Sequence, residues 1–382
     1  MRSVYLDYNA TTPLDPKIQE AMSSTTAASF GNPSSVHHIG RAARALLDDC
    51  RYRVASLWQC KPSEVIFTSG GTESNNLAVF GAARSLASKG RHLITSNIEH
   101  HAVLNAFKHL ASTEGFELSL VPVDSAGFVH PEDLISLIRS DTVLVSVMAA
   151  NNETGAIQPY TDLSHICRKR GITFHCDAVQ AVGKLEFHSI QQFGADLVSV
   201  CSHKLHGPKG AGALFCRSPL RLSPLLRGGA HENENRAGTE NLAAILGFTL
   251  ALEHFVRPSV FDASLLCPLS RRLIESLADI PGVDFQGPPN NRLANTVVFT
   301  VSGWDSISLL AALDLEGICA SSGSACSVGS LEPSHVLLAM GLPRNVAASL
   351  VRFSLGRDTS EADILQTIDV FQSIVSSSRL PE

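Results

Sequence analysis

Cys201-Ser202-His203-Lys204-Leu205-His206-Gly207-Pro208-Lys209-Gly210 sets one lysine between an apolar run, residues 195–200, and a turn rich in glycine and proline. About 27 residues upstream, Phe174-His175-Cys176-Asp177-Ala178-Val179-Gln180 puts an aspartate at the end of another short apolar run. Alone, a lysine at a strand end reads as a solvated loop residue. With an aspartate at the neighbouring strand end, it makes up the pair of groups that pyridoxal phosphate (PLP) needs. The lysine forms the Schiff base, and the aspartate keeps a proton on the pyridine nitrogen so that the ring withdraws electrons.

Outward from this pair, short apolar runs alternate with helical patterns from Glu64 to Cys216. Val65-Ile66-Phe67 precedes an expected helix over 75–87, Leu93-Ile94-Thr95 one over 102–112, and Leu118 to Val121 one over 131–138, with Pro131 suited to a first helical turn. Val143 to Met148 is nearly all apolar and reads as a buried central strand. A helix over 162–170 and strands over 172–175, 195–201 and 212–215 complete the series. This βαβα order predicts an α/β fold with a mainly parallel, doubly wound sheet. Ligands bind such sheets beyond the carboxyl ends of the strands. Gly70-Gly71-Thr72, Asn151-Asn152, Asp177 and Lys204 all fall at such ends.

Beyond Glu253 the pattern changes. A helix through 269–278 stops at Pro281-Gly282. Strands are expected over 295–301, 318–320 and 351–354, with a helix over 307–313. The expected division is a large domain over 14–258 and a small α+β domain made of 1–13 and 259–382.

At 382 residues, 44% of them hydrophobic, the chain can bury a sizeable core. A net charge of −6 without blocks of like charge argues against nucleic acid as a partner. The opening Met-Arg-Ser-Val-Tyr-Leu-Asp has no apolar stretch of the kind that begins a signal peptide. The longest apolar run, 243–252, is too short to cross a bilayer. Nine cysteines, an odd number with no C-x-x-C pair, argue against a disulfide framework or a structural zinc and for a reducing cytoplasm.

Other stretches carry chemistry beside plainer readings. Thr68-Ser69-Gly70-Gly71-Thr72-Glu73-Ser74-Asn75 joins a strand to a helix through two glycines, which suits a phosphate or an ordinary tight turn. It is not a Walker loop, and neither is Gly183-Lys184-Leu185. Glu99-His100-His101 opens a helix, where a histidine could stack on a flat cofactor or simply face solvent. Adjacent histidines are poor joint ligands for one zinc. Residues 320–330, Ala-Ser-Ser-Gly-Ser-Ala-Cys-Ser-Val-Gly-Ser, surround Cys326 with small side chains that cannot anchor a loop by packing. The segment is therefore expected to be mobile and Cys326 to be a travelling nucleophile, against the alternative of a serine-rich linker. Cys176 and Cys201 are expected to pack. Arg352, inside the apolar run 349–355, calls for a carboxylate partner, either structural or from a substrate.

In order and combination, these motifs resemble the NifS/IscS type of cysteine desulfurase, a class-V aminotransferase-like family of PLP fold type I. The resemblance runs from Tyr5-Leu6-Asp7-Tyr8-Asn9-Ala10-Thr11-Thr12-Pro13 and Gly31-Asn32-Pro33-Ser34-Ser35 through Arg236-Ala237-Gly238-Thr239-Glu240-Asn241 to residues 352–357. It implies that Lys204 is the Schiff-base lysine, that Asp177 pairs with the pyridinium nitrogen, and that Gln180 contacts the phenolic oxygen. By the same carry-over, His100 stacks on the ring and moves protons. Gly71, Thr72, Ser202 and His203 hold the phosphate, and Thr239 reaches the phosphate of the other subunit of a homodimer. Asn152 and Arg352, with Asn32, bind the substrate carboxylate. Cys326 accepts sulfur from L-cysteine as a persulfide, leaving L-alanine. An iron–sulfur scaffold is the implied acceptor, with Cys326 as a transient [2Fe-2S] ligand.

Two positions depart from the family pattern. Cys201 stands where a serine that helps hold the phosphate is usual, and Asn233 stands where an arginine is frequent. The alternatives are a selenocysteine lyase or another β-lyase on the same fold, which would not depend on Cys326, and a non-catalytic adaptor, against which the Lys204/Asp177 pair speaks.

Overall fold

A computed structural model describes residues 3–323 and 332–377. Cys326 and the loop mobility expected around it lie outside these residues.

In chain order, the first part comprises β1 (Val4–Tyr5), α1 (Pro16–Ala28), α2 (His38–Trp58), β2 (Val65–Thr68), α3 (Gly71–Leu86), β3 (His92–Ser96), α4 (His101–Thr113) and β4 (Glu117–Val121). Then come α5 (Pro131–Leu137), β5 (Thr142–Ser146), α6 (Tyr160–Lys169), β6 (Thr173–Asp177), β7 (Leu197–Cys201), β8 (Gly212–Cys216) and α7 (Leu242–Phe255). Strands β2 to β8 form one seven-stranded sheet in the order β2-β8-β7-β6-β5-β3-β4. Only β8 runs against its neighbours; the other strands are parallel.

The sheet is covered on both faces, as a parallel sheet requires. Successive residues of one strand go to opposite sides. Ile94, Val145, Val198 and Phe215 join the core under α1, α2 and α7. Their neighbours Leu93, Leu144, Leu197 and Leu214 join the core under α3 and α4. Helix α2 had no counterpart in the expected elements, yet it follows from side-chain spacing: Ala43, Leu47, Cys50, Val54 and Trp58 are buried at three- and four-residue intervals. Strand β5 stops two residues short of the expected end. Met148 has left the ladder, and its N–H donates instead to Glu99 Oε1 at 3.0 Å.

The last part comprises α8 (Ala263–Ala278), β9 (Val283–Phe285), β10 (Thr296–Val301), α9 (Ser306–Leu315), β11 (Ile318–Cys319), α10 (His335–Ala339), α11 (Arg344–Ala347), β12 (Leu350–Ser354) and α12 (Glu361–Ser377). Helix α8 starts six residues before the expected position because Asp262 caps it, accepting from Ser264 N–H; Pro268 is accommodated inside it. Strands β12, β10 and β9 form an antiparallel sheet, and β1 pairs in parallel with β11. Val4, Leu6 and Tyr8 share a core with Leu273, Phe299, Phe353 and Phe371. The N-terminal residues thus pack with the C-terminal third of the chain.

Candidate active site

The carboxyl ends of the parallel strands deliver the site. Residues from the ends of β2, β5, β6 and β7 and from the start of α4 line one cavity of about 190 Å³. Gly71, Thr72, His100, Asn152, Asp177, Gln180, His203, Lys204 and Arg352 all border it. Asn9, Asn75, Met148 and Cys201 border it as well.

Asp177 ends β6 and is 6% exposed. Its Oδ2 accepts from Asn75 Nδ2 at 2.6 Å and its Oδ1 from Val179 N–H at 3.0 Å. Burial raises its pKa, against the pull of these two donors and the field of Lys204. Lys204 follows β7, and its Nζ donates to the backbone carbonyls of Asn9 and Ala10, each at 2.6 Å.

His100 caps α4. Its Nδ1 accepts from Ala102 N–H at 3.1 Å, so the ring proton of the neutral form lies on Nε2. Desolvation first, and Lys204 second, bring its pKa down to about 4. The same causes bring His203 down to about 4, with Nδ1 3.1 Å from Thr11 Oγ1. Both rings are uncharged at neutral pH.

Arg352, on β12, is 1% exposed. The carboxylate that the sequence called for is Asp7: Nη2 donates to Asp7 Oδ1 at 2.7 Å, and Nη1 to the carbonyl of Asn152 at 2.9 Å. Among the described residues, its buried Nε has no partner.

Three expected residues lie elsewhere or face away. Ser202 borders no part of the cavity: its N–H is taken by the Ala211 carbonyl, and its hydroxyl lies where a Cβ on Gly207 would come within 2.2 Å. Cys201 borders the cavity in its place. Its buried thiol is raised in pKa by desolvation, opposed by Lys204 and by the N–H groups of Gly71 and His203. Asn32 is exposed and uses its Oδ1 to accept from Ser34 N–H at 2.8 Å. Thr239 is exposed and does not border this chain's cavity.

Sequence reasoning missed Asn9, Asn75 and Lys184. Asn75 lies in the second turn of α3, where nothing in its spacing marks it from a helix-surface asparagine. Asn9 stood inside a quoted motif but without a role. Its backbone carbonyl receives both Lys204 and Gln180, the latter at 3.0 Å.

The residues fit PLP. Helix α3 begins at Gly71 without a side-chain cap, and an uncapped helix start suits a phosphate. Among the described residues, the Asn75 amide and the Val179 N–H donate to the buried Asp177 carboxylate, and both are neutral, a cost that a pyridinium N–H relieves.

The class-V aminotransferase family model matches residues 4–366. A cysteine desulfurase IscS of Dictyoglomus turgidum is 45% identical over 379 residues, covering 99% of this chain and 96% of that protein. This chain belongs to the cysteine desulfurases of the class-V aminotransferase family. A solved NifS-like protein superposes with a TM-score of 0.91 at 36% identity, covering 98% of this chain and all of that one. A solved SspA in complex with cysteine gives a TM-score of 0.82 at 32% identity, covering 94% of this chain and 100% of that one. This desulfurase is a PLP-dependent enzyme of fold type I.

Proposed function

We propose that this enzyme draws sulfur from L-cysteine, holds it as a persulfide on Cys326, releases L-alanine and passes the sulfur to an iron–sulfur scaffold protein. The observation that carries the reading is the meeting of Lys204, Asp177, His100 and Arg352 around one cavity. That a related protein was solved with cysteine supports the substrate.

Bound PLP supplies an aldehyde carbon for amines and a ring that stores an electron pair. Gly71 and Thr72 at the start of α3, with His203, hold its phosphate. Asp177 holds the proton on the ring nitrogen, His100 lies against the ring, and Gln180 meets the phenolic oxygen. The guanidinium of Arg352, with Asn152, orients the substrate carboxylate. Lys204 takes the proton from the substrate Cα and returns one later. The neutral His100 accepts or delivers a proton through Nε2. The Cys326 thiolate attacks the substrate sulfur: an S–S bond forms, the Cβ–S bond breaks, and carbon recovers a proton to give L-alanine. On the scaffold, Cys326 serves as a transient [2Fe-2S] ligand.

In this reading residues 14–258 form the cofactor domain, and 1–13 with 259–382 form the small domain. The enzyme works as a cytoplasmic homodimer in which Thr239 reaches the partner's phosphate. The eight described cysteines, all free thiols, suit that reducing compartment. Among the described residues, no helix is long and apolar enough to cross a membrane.

Alanine and protein-bound persulfide are measured after L-cysteine is added to the native enzyme and two variants. The native enzyme is expected to form both in equal amounts in the first turnover. Cys326→Ala should keep the near-visible absorbance of bound PLP and form no protein-bound persulfide. Lys204→Ala should lack that band once free PLP is removed. Persulfide transfer by Cys326→Ala, or turnover with an unchanged band in Lys204→Ala, would overturn the reading.

A further inference from the structure

Lys184 lies behind the cavity and takes no part in the chemistry above. It is 5% exposed, and its hydrogen-bond partners are amide oxygens: Nζ is 2.5 Å from both Asn9 Oδ1 and Gln180 Oε1. The Phe261 ring closes the third side, with its centroid 5.0 Å from Nζ. Gly183, at φ +81°, lets the chain reverse just before the lysine, where a Cβ would come within 2.1 Å of Leu205. Burial, reinforced by Lys204 and Arg352, lowers the pKa of Lys184 well below the usual value.

Charged or neutral, Nζ carries at least two hydrogens, and an amide oxygen can only accept. The lysine therefore decides which way two amides point. With Oε1 of Gln180 taken by Lys184, its Nε2 donates to the Asn9 carbonyl at 3.0 Å. The second Nε2 hydrogen is left for the cavity that Gln180 borders. Asn9 is oriented likewise. Its Oδ1 accepts from Lys184 and from Asn295 Nδ2, and its Nδ2 donates to the Asn152 carbonyl at 3.1 Å and Thr296 Oγ1 at 2.9 Å. The Asn9 backbone carbonyl held in this way is the one that receives Lys204.

We propose that Lys184 is a positioning residue: it takes the oxygen of Gln180 and so holds the donor end of that amide toward the phenolic oxygen of bound PLP, while fixing Asn9 beneath Lys204. The proposal rests on Gln180 meeting that oxygen. Without Lys184 the Gln180 amide is free to rotate and turn its own oxygen toward an anionic one.

A donor on the phenolic oxygen favours its anion. Losing that donor makes the chromophore keep its proton to higher pH. The test titrates the near-visible absorbance of the holoenzyme in the native protein, Lys184→Met, Gln180→Ala and the double variant. Lys184→Met is expected to raise the midpoint by roughly one pH unit, as Gln180→Ala does. The double variant is expected to shift no further than either single one. A midpoint moved by Gln180→Ala but not by Lys184→Met overturns the proposal and leaves the Gln180 contact standing. Shifts that add in the double variant also overturn it, because Lys184 would then act by charge alone. If neither variant moves the midpoint, the Gln180 contact fails and the proposal with it. Lys184→Gln, which keeps one donor too short to span both oxygens, should move the midpoint in the same direction by less. Should Lys184→Met not fold, it decides by the same criteria.

Discussion

Glu99, wholly buried just ahead of His100, has its carboxyl pushed up to about 8 by desolvation, although Ser96 Oγ and Met148 N–H donate to it. Among the described residues, its other oxygen has no partner. A carboxyl whose folded pKa lies above its ordinary 4.5 adds its full stability only below that value. As pH rises toward 8 the unfolded chain ionises and the folded one does not, so stability falls. Glu99→Gln removes this dependence. Relative to the native protein, the variant is expected to gain on the order of 3 kcal/mol or less between about pH 5 and 8, with no gain below pH 4.5. Denaturant midpoints measured across that range check the outcome, and a constant difference would contradict it. The same scale shows what was legible in the chain. Lys204 and Asp177 could be picked out because their types and strand-end positions already state a chemistry. Asn9, Asn75 and Lys184 could not, because an amide or a lysine acquires its role only from partners as far as 195 residues away.

At the scale of elements, the strands and the helices between them were readable wherever apolar runs alternated with helical spacing. Residues 14–63 were not, although α2 carries its own three- and four-residue pattern, because another helix, α1, precedes it and no strand–helix alternation runs there. What holds α2 to the sheet could not be read either. Arg51 on α2 donates to both carboxylate oxygens of Glu232, at 2.8 and 2.5 Å, and to the Val65 carbonyl at 2.6 Å. Glu232 also accepts from Phe67 N–H at 2.8 Å, so one carboxylate joins a helix, the edge strand β2 and the 231–234 turn. Removing one partner of such a buried pair strands the other's charge. Glu232→Ala is expected to cost about 3–5 kcal/mol of stability, read as a lower midpoint in urea. A loss under about 1 kcal/mol would mean that the pair contributes no more than a surface one.

For the molecule as a whole, the large apolar side chains left exposed include Phe30, Val36 and Tyr52. Phe30 and Val36 flank the segment whose Ser34 Oγ lies 3.4 Å from His231, and Tyr52 follows Arg51, the partner of Glu232. These contacts bring the 30–36 segment, α2 and the turn leading to Thr239 together, an exposed apolar surface that the proposed homodimer would cover. Sedimentation at micromolar concentration is expected to give a dimer, and Val36→Asp to shift it toward monomer with weaker PLP retention. A native monomer with full PLP would contradict this. The joining of the chain's two ends also bears on how the enzyme is made. Residues 4–9 are held by β11 and β12: Val4 pairs with Ile318, Asp7 meets Arg352, and the Asn9 N–H donates to Ser354 Oγ. On a ribosome, the strands that bear Asp177 and Lys204 emerge long before residue 354 is added. Residues 4–9 must therefore wait for residues 318–354, and Asn9 reaches its place beneath Lys204 only after those have been made. Cofactor capture thereby waits on residues 318–354, and a nascent chain that has folded its large sheet before they are made still lacks a finished pocket.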